Sequence, residues 1–254
     1  MAIDHRQNAA GPISAEWGIG SRSRAPAATV IAPNVLLSSP MRVAIAGGHG
    51  QVGRRLIRLL VARGDEVRSL DRNADYGDEI RGWGAEPVVC DLEQASDEQA
   101  AAAIDSVDAV VFAAGAGPGS GPERKSTMDY GGAVKLIAAA KAAGVSRYVM
   151  VSSIGADPET SGDDTFSIYL RAKGRADADL QAAGLEHTIV RPTSLIDDPG
   201  TGRVLIADQV ERGEISRDDV AAVLAAALHT PTSVGKTFEA TSGDVPIDEA
   251  VASL

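Results

Sequence analysis

Cysteine is nearly absent from this sequence of 254 residues, which contains only Cys90. One thiol cannot form a disulfide within the chain or supply a cysteine-based metal site, and such usage is typical of a reducing compartment. The histidines are also scattered, without the spacing of a metal-ligating motif. They are His5, His49, His187 and His229. We therefore predict no metal site, and we expect the protein to be cytoplasmic.

Positive charge and long apolar runs are scarce as well. The chain carries 24 Lys and Arg residues against 35 Asp and Glu residues, which gives a formal net charge of -11. Nucleic-acid binding needs clustered cations that neutralise phosphates, so this balance argues against a nucleic-acid partner. No run approaches the roughly 18 apolar residues of a membrane span, so no membrane association is expected. The 44% of hydrophobic residues is an ordinary globular value.

The first forty residues differ from the rest of the chain. Gly-Pro and Ala-Pro breakers recur there without a sustained hydrophobic period. The sequence predicts a disordered N-terminal extension over residues 1–40 and a single domain over residues 41–254. We expect translation to begin at Met41, because that methionine directly precedes the first regular apolar run.

A glycine-rich turn follows this first run. Val43 to Ala46 has strand character and ends at a turn that fits both G-x-G-x-x-G and G-x-x-G-x-x-G. The glycines of the turn are Gly47, Gly48, Gly50 and Gly53. Helical spacing then continues as far as Gly64, with one predicted apolar face. That face comprises Val52, Leu56, Leu59 and Leu60. Because side chains in such a turn would block a pyrophosphate from the helix N-terminus, the pattern predicts a dinucleotide site.

Strand and helix patterns alternate along the remaining chain. Apolar runs predict strands at 66–70, 86–90, 108–114, 147–152, 187–191 and 237–240. Helices are predicted at 128–143, 167–183 and 217–228. Ser216 and Asp219 would form a capping box at the start of the last helix. Repeated strand–helix units with buried strands predict a Rossmann-like α/β fold, in which a doubly wound parallel sheet has helices on both faces. Ligands of such sheets bind at the carboxyl ends of the strands.

Six motifs occur in the order found in one enzyme superfamily. They are the glycine turn, Asp91-Leu92, Ala113-Ala114-Gly115, Ser152-Ser153, Tyr169 with Lys173, and Arg191-Pro192. Over residues 41–254 the chain resembles the short-chain dehydrogenase/reductases, and it looks most like their atypical branch of NmrA-like, NAD(P)H-binding proteins. The resemblance implies NAD(P) as cofactor and a small C-terminal substrate region, mainly residues 192–254. It assigns cofactor binding to Gly47, Gly50, Gln51, Val52, Gly53, Asp91, Leu92, Ala113, Ala114, Gly115 and Lys173.

Tyr169 and Lys173 lie four residues apart, so a helix presents them on one face. A tyrosine has a pKa of about 10, and a neighbouring ammonium favours the phenolate and lowers that pKa. In the resembled family the tyrosine passes a proton to or from the substrate oxygen, the lysine also holds the nicotinamide ribose, and a serine orients the substrate. That serine would be Ser153 or Ser152. Alternatively, Tyr169 and Lys173 are a chance pair on a solvated helix face.

The residues that would set the cofactor preference point in two directions. Asp71 ends the second predicted strand, where a carboxylate accepts hydrogen bonds from a ribose diol and repels a 2'-phosphate, which favours NAD. Arg72 and Arg54 could instead pair with that phosphate, or they could be solvated surface charges. The resemblance favours NADP(H). Asp91 either lies beside the adenine or caps the next turn, and we interpret His49 as a loop residue rather than a catalytic base.

Together these features predict an NAD(P)-dependent oxidoreductase that transfers hydride between a nicotinamide and a small carbonyl, alcohol or quinone-like substrate. The alternatives are a non-enzymatic, NmrA-like redox sensor, a small-substrate epimerase or dehydratase, and a scaffold without cofactor. The binding turn is common to enzyme and sensor, and substrate pockets are built from variable loops, so the alternatives stay open. The alanine-rich helices at 128–143 and 167–183 could pack against a second copy, which would give a homodimer.

Overall fold

The computed structural model describes residues 39–117 and 119–254. Apart from Ser39 and Pro40, the predicted disordered extension lies outside the described residues. The strands within them are β1 (Arg42–Ala46), β2 (Glu66–Asp71), β3 (Glu86–Val89), β4 (Ala109–Phe112), β5 (Arg147–Val151), β6 (Glu186–Pro192), β7 (Ser194–Ile196), β8 (Arg203–Ala207), β9 (Glu214–Ser216), β10 (Lys236–Ser242) and β11 (Val245–Pro246). The α-helices are α1 (Gly53–Arg63), α2 (Gly77–Gly82), α3 (Asp97–Ala103), α4 (Pro122–Arg124), α5 (Ala133–Ala143), α6 (Thr165–Ala182), α7 (Arg217–His229) and α8 (Ile247–Ala252).

Nine of the described strands form one sheet, in the order β11-β8-β10-β6-β5-β4-β1-β2-β3. β1 to β6 and β10 pair in parallel, and the order 3-2-1-4-5-6 is that of a dinucleotide-binding Rossmann fold. β8 and β11 join one edge as antiparallel strands, and β7 pairs with β9 in a separate two-stranded sheet. The predicted Rossmann-like fold is therefore confirmed.

Helices cover both faces of this sheet. Along β1, Val43 and Ile45 are buried among side chains of α1, α7 and α8, whereas Ala44 and Ala46 are buried among those of α3, α5 and α6. This alternation follows from the two-residue period of a strand. Because both faces are covered, the central strands are apolar throughout, and a continuous apolar run is the pattern from which they were predicted.

The buried stripe of α1 differs from the predicted one. Gly53, Leu56, Ile57 and Leu60 are buried, whereas Leu59 is 42% exposed. The placement of Leu59 on the core face is therefore wrong. The stripe begins at Gly53 and continues at i+3, i+4 and i+7, which brings Ile57 rather than Leu59 to the sheet.

The helix predicted at 128–143 is observed as two different segments. An eight-residue π-helix, Lys125–Gly132, comes first and continues directly into α5. We call it the π segment. π-Helices are rare and often lie at functional sites. Asp129 of this segment is 2% exposed, and one of its carboxylate oxygens accepts a hydrogen bond from the backbone N–H of Ala116, in the loop after β4.

α7 starts at the predicted residue but without the predicted capping box. The Ser216 hydroxyl accepts a hydrogen bond from the backbone N–H of Asp218. Asp219 does not complete the box, because its carboxylate accepts from the backbone N–H groups of Thr201 and Gly202. The Asp219 half of the prediction is wrong, and this buried carboxylate instead fastens the turn before β8 to α7.

Arg147 is buried at the start of β5, and it ties three elements together. Its guanidinium donates to the carbonyl oxygens of Glu186 and Ala227 and to the hydroxyl oxygens of Thr188 and Ser233. Burial lowers the pKa of Arg147 to about 10, so the group is still cationic at neutral pH. These contacts join β5 and β6 to α7 on one face of the sheet.

Replacing Arg147 with methionine should lower the free energy of unfolding by about 3–5 kcal/mol, because several buried acceptors lose their donor at once. Chemical denaturation monitored by circular dichroism measures this change. The matched control is Arg42→Met, at the start of β1, where the ion pair with Asp108 is half exposed and screened by solvent, so its loss should change stability little. Equal effects of the two substitutions would show that the Arg147 contacts do not stabilise the fold.

Candidate functional site

The glycine turn lies between β1 and α1 and approaches two other strands closely. Gly47 has φ +81° and donates its N–H to the carbonyl oxygen of Leu70 in β2. A Cβ on Gly47 would lie 2.7 Å from the Cα of Ala114, beyond the end of β4. A Cβ on Gly53 would lie 2.3 Å from the carbonyl oxygen of Gly47. Gly47 is therefore required because of its positive φ, and Gly53 is required because of the close packing.

At the start of α1 the backbone N–H groups of Arg54 and Arg55 donate to the carbonyl oxygens of Gly50 and Val52. Val52 caps the helix without a side-chain hydrogen bond to the first turn. Helix N-termini with free N–H groups and a positive dipole end bind phosphate groups well. Gln51 is exposed just before this turn, and Arg55 donates to its backbone and side-chain oxygens at 2.7 and 3.0 Å. This turn and the start of α1 are the place predicted for the pyrophosphate.

Asp71 holds the turn from the end of β2. One carboxylate oxygen accepts from the backbone N–H of His49 at 3.0 Å, and the other accepts from the Ser69 hydroxyl at 2.5 Å. Asp71 is 9% exposed and lines the neighbouring cleft. A carboxylate has about four acceptor positions, so two remain for a ligand hydroxyl.

A cleft of about 300 Å³ opens at the carboxyl ends of β1, β2, β3 and β4. It is lined by Gly47, His49, Gly50, Leu70, Asp71, Arg72, Tyr76, Cys90, Asp91, Leu92, Glu93, Ala113, Ala114, Gly115, Ala116, Gly117, Arg124 and Met128. Most of the predicted cofactor-binding residues are among them. The predicted residues outside the lining are Gln51, Val52, Gly53, Arg54 and Lys173. The first four of these lie in the turn and first helical turn that border the cleft.

An ion pair that the sequence analysis missed spans the cleft wall. Arg124 of α4 donates to Glu93 at 2.7 Å and to the carbonyl oxygen of Ala116 at 3.3 Å. The hydroxyl of Thr127 donates to the other oxygen of Glu93 at 2.6 Å. The hydrogen bond from Arg124 lowers the pKa of Glu93. These side chains join the loop after β3 to the π segment, a long-range contact without a local sequence signal.

His49 forms part of the cleft wall. Its ring stacks on that of Tyr76, with centroids 3.6 Å apart and planes at 6°. The Trp83 ring follows at 5.8 Å, and the Nε2 atom of His49 lies 2.9 Å from a carboxylate oxygen of Glu79. This contact set fixes the imidazole at the mouth of the cleft.

The two arginines considered for a 2'-phosphate are placed differently. Arg72 is exposed and lines the cleft. Arg54 is half buried and directs one guanidinium nitrogen to the carbonyl oxygen of His49 at 3.4 Å. Its Nε atom is buried and has no hydrogen-bond partner among the described residues.

Tyr169 and Lys173 lie on α6, as predicted. Lys173 is 4% exposed, donates to the carbonyl oxygen of Val151 at 3.0 Å and lies 3.7 Å from the Asp129 carboxylate. The Tyr169 ring is half buried, and the Nζ atom of Lys125 lies 5.3 Å from its centroid. Sequence reasoning missed both Asp129 and Lys125 as site residues, because the π segment that carries them was not predicted.

The two candidate serines have different partners. Ser152 is buried, and its hydroxyl donates to Asp177 at 2.8 Å. Arg191 donates to the same carboxylate oxygen at 2.9 Å, and burial raises the pKa of Asp177. The Ser153 hydroxyl, half buried, donates only to the carbonyl oxygen of Ile154, at 3.2 Å, within the described chain. The Ser153 hydroxyl therefore has the longer and more local hydrogen bond of the two.

The described residues contain no group of three or more His, Cys, Asp or Glu side chains that could hold a metal ion. No helix in the described ranges is both long and apolar enough to cross a bilayer. The cytoplasmic location stays a prediction.

Comparison with known proteins identifies the family. The model of a family described as NAD(P)H-binding matches residues 47–231, which include the glycine turn, the cleft and α6. The chain belongs to this NAD(P)H-binding family. The predicted relationship to the atypical, NmrA-like branch of the short-chain dehydrogenase/reductases is confirmed, and a nicotinamide dinucleotide is the ligand of the fold.

Similar proteins of this family include one from Bacillus subtilis that is named an uncharacterized sugar epimerase. It is 40% identical over 215 residues, which are 84% of this chain and 100% of the relative. A solved structure from Bacillus halodurans, whose proposed activity is that of an NAD-dependent epimerase/dehydratase, is 39% identical with a TM-score of 0.78 and covers 84% of this chain and 100% of its own. An oxidoreductase from Lactococcus lactis is 28% identical with a TM-score of 0.73 and covers 84% of this chain and 96% of its own.

The cleft fits the ligand of this family. Added Cβ atoms at Gly47 and Gly53 would collide with Ala114 and with the backbone of the turn itself, so these glycines keep the turn compact where a pyrophosphate would approach the start of α1. Asp71 lies at the end of β2 with acceptor positions to spare for a ribose, and the apolar part of the cleft lies between Leu92, Ala114 and Met128. The residues that would hold the adenosine half are therefore in place.

Proposed function

We propose that the protein is an NAD(P)H-dependent reductase or dehydrogenase for a small carbonyl, alcohol or quinone-like compound, with Tyr169 as the residue that transfers the proton. One observation carries this proposal: buried Asp129 and Lys173 fasten the helix of Tyr169 to the loop that lines the cofactor cleft. When bound, a nicotinamide dinucleotide supplies or accepts the hydride. The chain itself must then move a proton at the substrate oxygen.

Asp129 makes this connection with both carboxylate oxygens. One oxygen accepts from the backbone N–H of Ala116, which lines the cleft, at 3.3 Å. The other lies 3.7 Å from the ammonium of Lys173, one helical turn beyond Tyr169. Transfer of a hydride and a proton to one carbonyl group needs both donors at fixed positions, and such fixed geometry lowers the barrier by prior ordering. Asp129 fixes the spacing between the cleft loop at Ala116 and the helix that carries Tyr169.

Substrate orientation is assigned to Ser153. The Ser152 hydroxyl already donates to Asp177, which in turn is paired with Arg191. Ser153 follows β5 at the carboxyl edge of the sheet and is free to rotate from its contact with Ile154 toward a ligand. This assignment leaves Ser152 with a packing role at the end of β5.

The substrate is small because few C-terminal residues remain to enclose it. Within residues 192–254, β8, β10 and β11 extend the main sheet, while α7 and α8 cover one face. What remains beyond the carboxyl end of β6 is the β7–β9 pair with its connecting turns. A segment of this size favours a compact carbonyl or quinone over a large substrate.

The experiment is oxidation of NADPH and of NADH in the presence of small aldehydes, ketones and quinones, with the reduced product measured by chromatography. We expect one reduced product molecule for each NAD(P)H consumed. A second candidate, epimerisation of a small substrate, is favoured by the 40% identity to the protein named a sugar epimerase. It predicts a change in substrate configuration without net NAD(P)H consumption. Binding of the cofactor without either reaction would contradict both.

We further propose a preference for NADP(H) that rests on Arg72. Asp71 already accepts two hydrogen bonds from the chain, whereas the guanidinium of Arg72 is exposed at the cleft. Arg72→Ala should weaken NADPH binding about tenfold or more and leave NADH binding within about twofold, since a hydrogen bond to a charged group contributes roughly 1.5–3 kcal/mol. Titration with each nucleotide, followed by reduced-nicotinamide fluorescence, measures both affinities.

The matched control is Arg81→Ala. Arg81 is an exposed arginine paired with Asp78 outside the cleft lining. Neither nucleotide affinity should change in this variant. If NADH binds the unchanged protein more tightly than NADPH, Asp71 rather than Arg72 decides the preference.

A further inference from the structure

Lys125 begins the π segment and contacts three parts of the candidate site. Its ammonium lies 5.3 Å from the ring centroid of Tyr169, donates to the carbonyl oxygen of Gly117 at 3.0 Å and lies 4.0 Å from the Asp129 carboxylate. Its side chain is only 12% exposed. A partly desolvated ammonium near an aromatic ring is attracted by the negative face of the π-system.

The charges around Tyr169 do not balance within this cluster. Lys125 and Lys173 share the single carboxylate of Asp129, at 4.0 and 3.7 Å. Lys173 also donates to the carbonyl oxygen of Val151, deeper in the sheet. Asp129 therefore neutralises one ammonium, and the cluster keeps one excess positive charge. In a weakly solvated site such a charge interacts strongly with any negative charge that forms beside it.

We propose that Lys125 is a positioning residue for Tyr169, an inference that rests on the proposed function. In the reductive direction the phenol gives its proton to the substrate oxygen as hydride arrives from the cofactor. Negative charge then remains on the phenolic oxygen of Tyr169. The ammonium of Lys125 stabilises that charge and holds the ring against the π segment.

The first test needs no substrate. Tetranitromethane nitrates ionised phenols, and mass spectrometry of peptides gives the rate at each tyrosine. Lys125→Met should lower the nitration rate of Tyr169 about fivefold to tenfold, because the ammonium that lies 5.3 Å from the ring centroid no longer stabilises negative charge on the phenolic oxygen. The rates at Tyr76 and Tyr130 should stay unchanged. Lys125→Arg keeps the charge and should keep the Tyr169 rate within about twofold.

The matched control is Lys141→Met, because Lys141 is an exposed lysine in the last turn of α5. It should leave every tyrosine unchanged. If Lys125→Met loosens the fold, all tyrosines react faster. Lys125→Gln, which can still donate to Gly117, then replaces it in the comparison. The inference is overturned if a folded Lys125→Met or Lys125→Gln variant nitrates Tyr169 at an unchanged rate. It is also overturned if Tyr169 is the one tyrosine that reacts faster in such a variant.

The second test measures turnover of para-nitrobenzaldehyde and menadione in a double-mutant cycle. In the unchanged background, Lys125→Met should lower kcat about tenfold and leave KM and NADPH affinity within about twofold, since proton transfer contributes roughly 10²–10⁴ to such rates. In the Tyr169→Phe background the same substitution should have almost no effect on kcat. Equal losses in both backgrounds would mean that Lys125 does not act through Tyr169. If Tyr169→Phe itself keeps full activity, the proposed function fails, while the nitration result stands separately.

Discussion

Replacing Tyr169 with phenylalanine should lower kcat by about 10²–10⁴ while the affinity for NADPH stays within about twofold. The expected loss is the typical contribution of a positioned proton donor. NADPH affinity is retained because Tyr169 is not among the residues that line the cleft at the glycine turn. Steady-state kinetics with a substrate found in the oxidation screen, together with fluorescence titration, measures both quantities.

The matched control for this prediction is Tyr148→Phe. Tyr148 is fully buried in β5, and its hydroxyl has no hydrogen-bond partner within residues 39–117 and 119–254. Removing that hydroxyl should therefore leave both kcat and stability close to those of the unchanged protein. Full activity of Tyr169→Phe would assign the proton transfer elsewhere. If the unchanged protein and Tyr169→Phe both bind the cofactor but neither converts a substrate, the non-enzymatic sensor is favoured.

Substituting Gly53 with alanine should weaken binding of NADPH and NADH alike, by about tenfold to a hundredfold. The new Cβ would lie 2.3 Å from the carbonyl oxygen of Gly47 and 2.7 Å from the Cα of Gly48. Both atoms belong to the backbone, so relief requires the whole turn to move away from the start of α1. Overpacking of this kind costs roughly 1–3 kcal/mol, and each 1.4 kcal/mol corresponds to about tenfold in affinity.

Gly82→Ala provides the comparison for Gly53→Ala. Gly82 ends α2, and a Cβ there would meet no atom within 4 Å. Its replacement should leave nucleotide affinity and the unfolding transition unchanged or slightly improved. If Gly53→Ala binds NADPH as tightly as the unchanged protein, then the turn does not receive the pyrophosphate.

Local patterns were enough to predict the glycine turn and the ends of the strands that line the cleft beside it. The glycine turn is fixed by neighbouring residues, and its strand and helix are marked by apolar runs of the right length. Asp71 follows because a strand ending at the carboxyl edge places its last side chain beside the turn. The structure brings Asp91, Leu92 and Gly115 to the same cleft for the same reason.

The surroundings of Tyr169 depend on contacts that no local pattern contains. Asp129 accepts from Ala116 thirteen residues earlier and pairs with Lys173 on another helix. An alanine-rich run gives no sign that its first turns will adopt π geometry around those contacts. Likewise, adjacent Ser152 and Ser153 are indistinguishable in sequence, and the distant side chain of Asp177 separates them. Asp219 fits a capping pattern, but its carboxylate bonds a turn that is distant in sequence.

The extra residue in each turn of the π segment determines how the residues before it are rotated about the helix axis. A π-helix has one more residue in a turn than an α-helix, and each α-helical residue corresponds to about 100° of rotation. Deleting one residue from this segment to give a regular helix would rotate Arg124 and Lys125 together by about that angle. Arg124 would leave Glu93, and Lys125 would leave Tyr169. A single codon lost here would thus remove the Arg124 contact at the cleft wall and the Lys125 contact at the tyrosine in one step, even though all four side chains remained in the sequence.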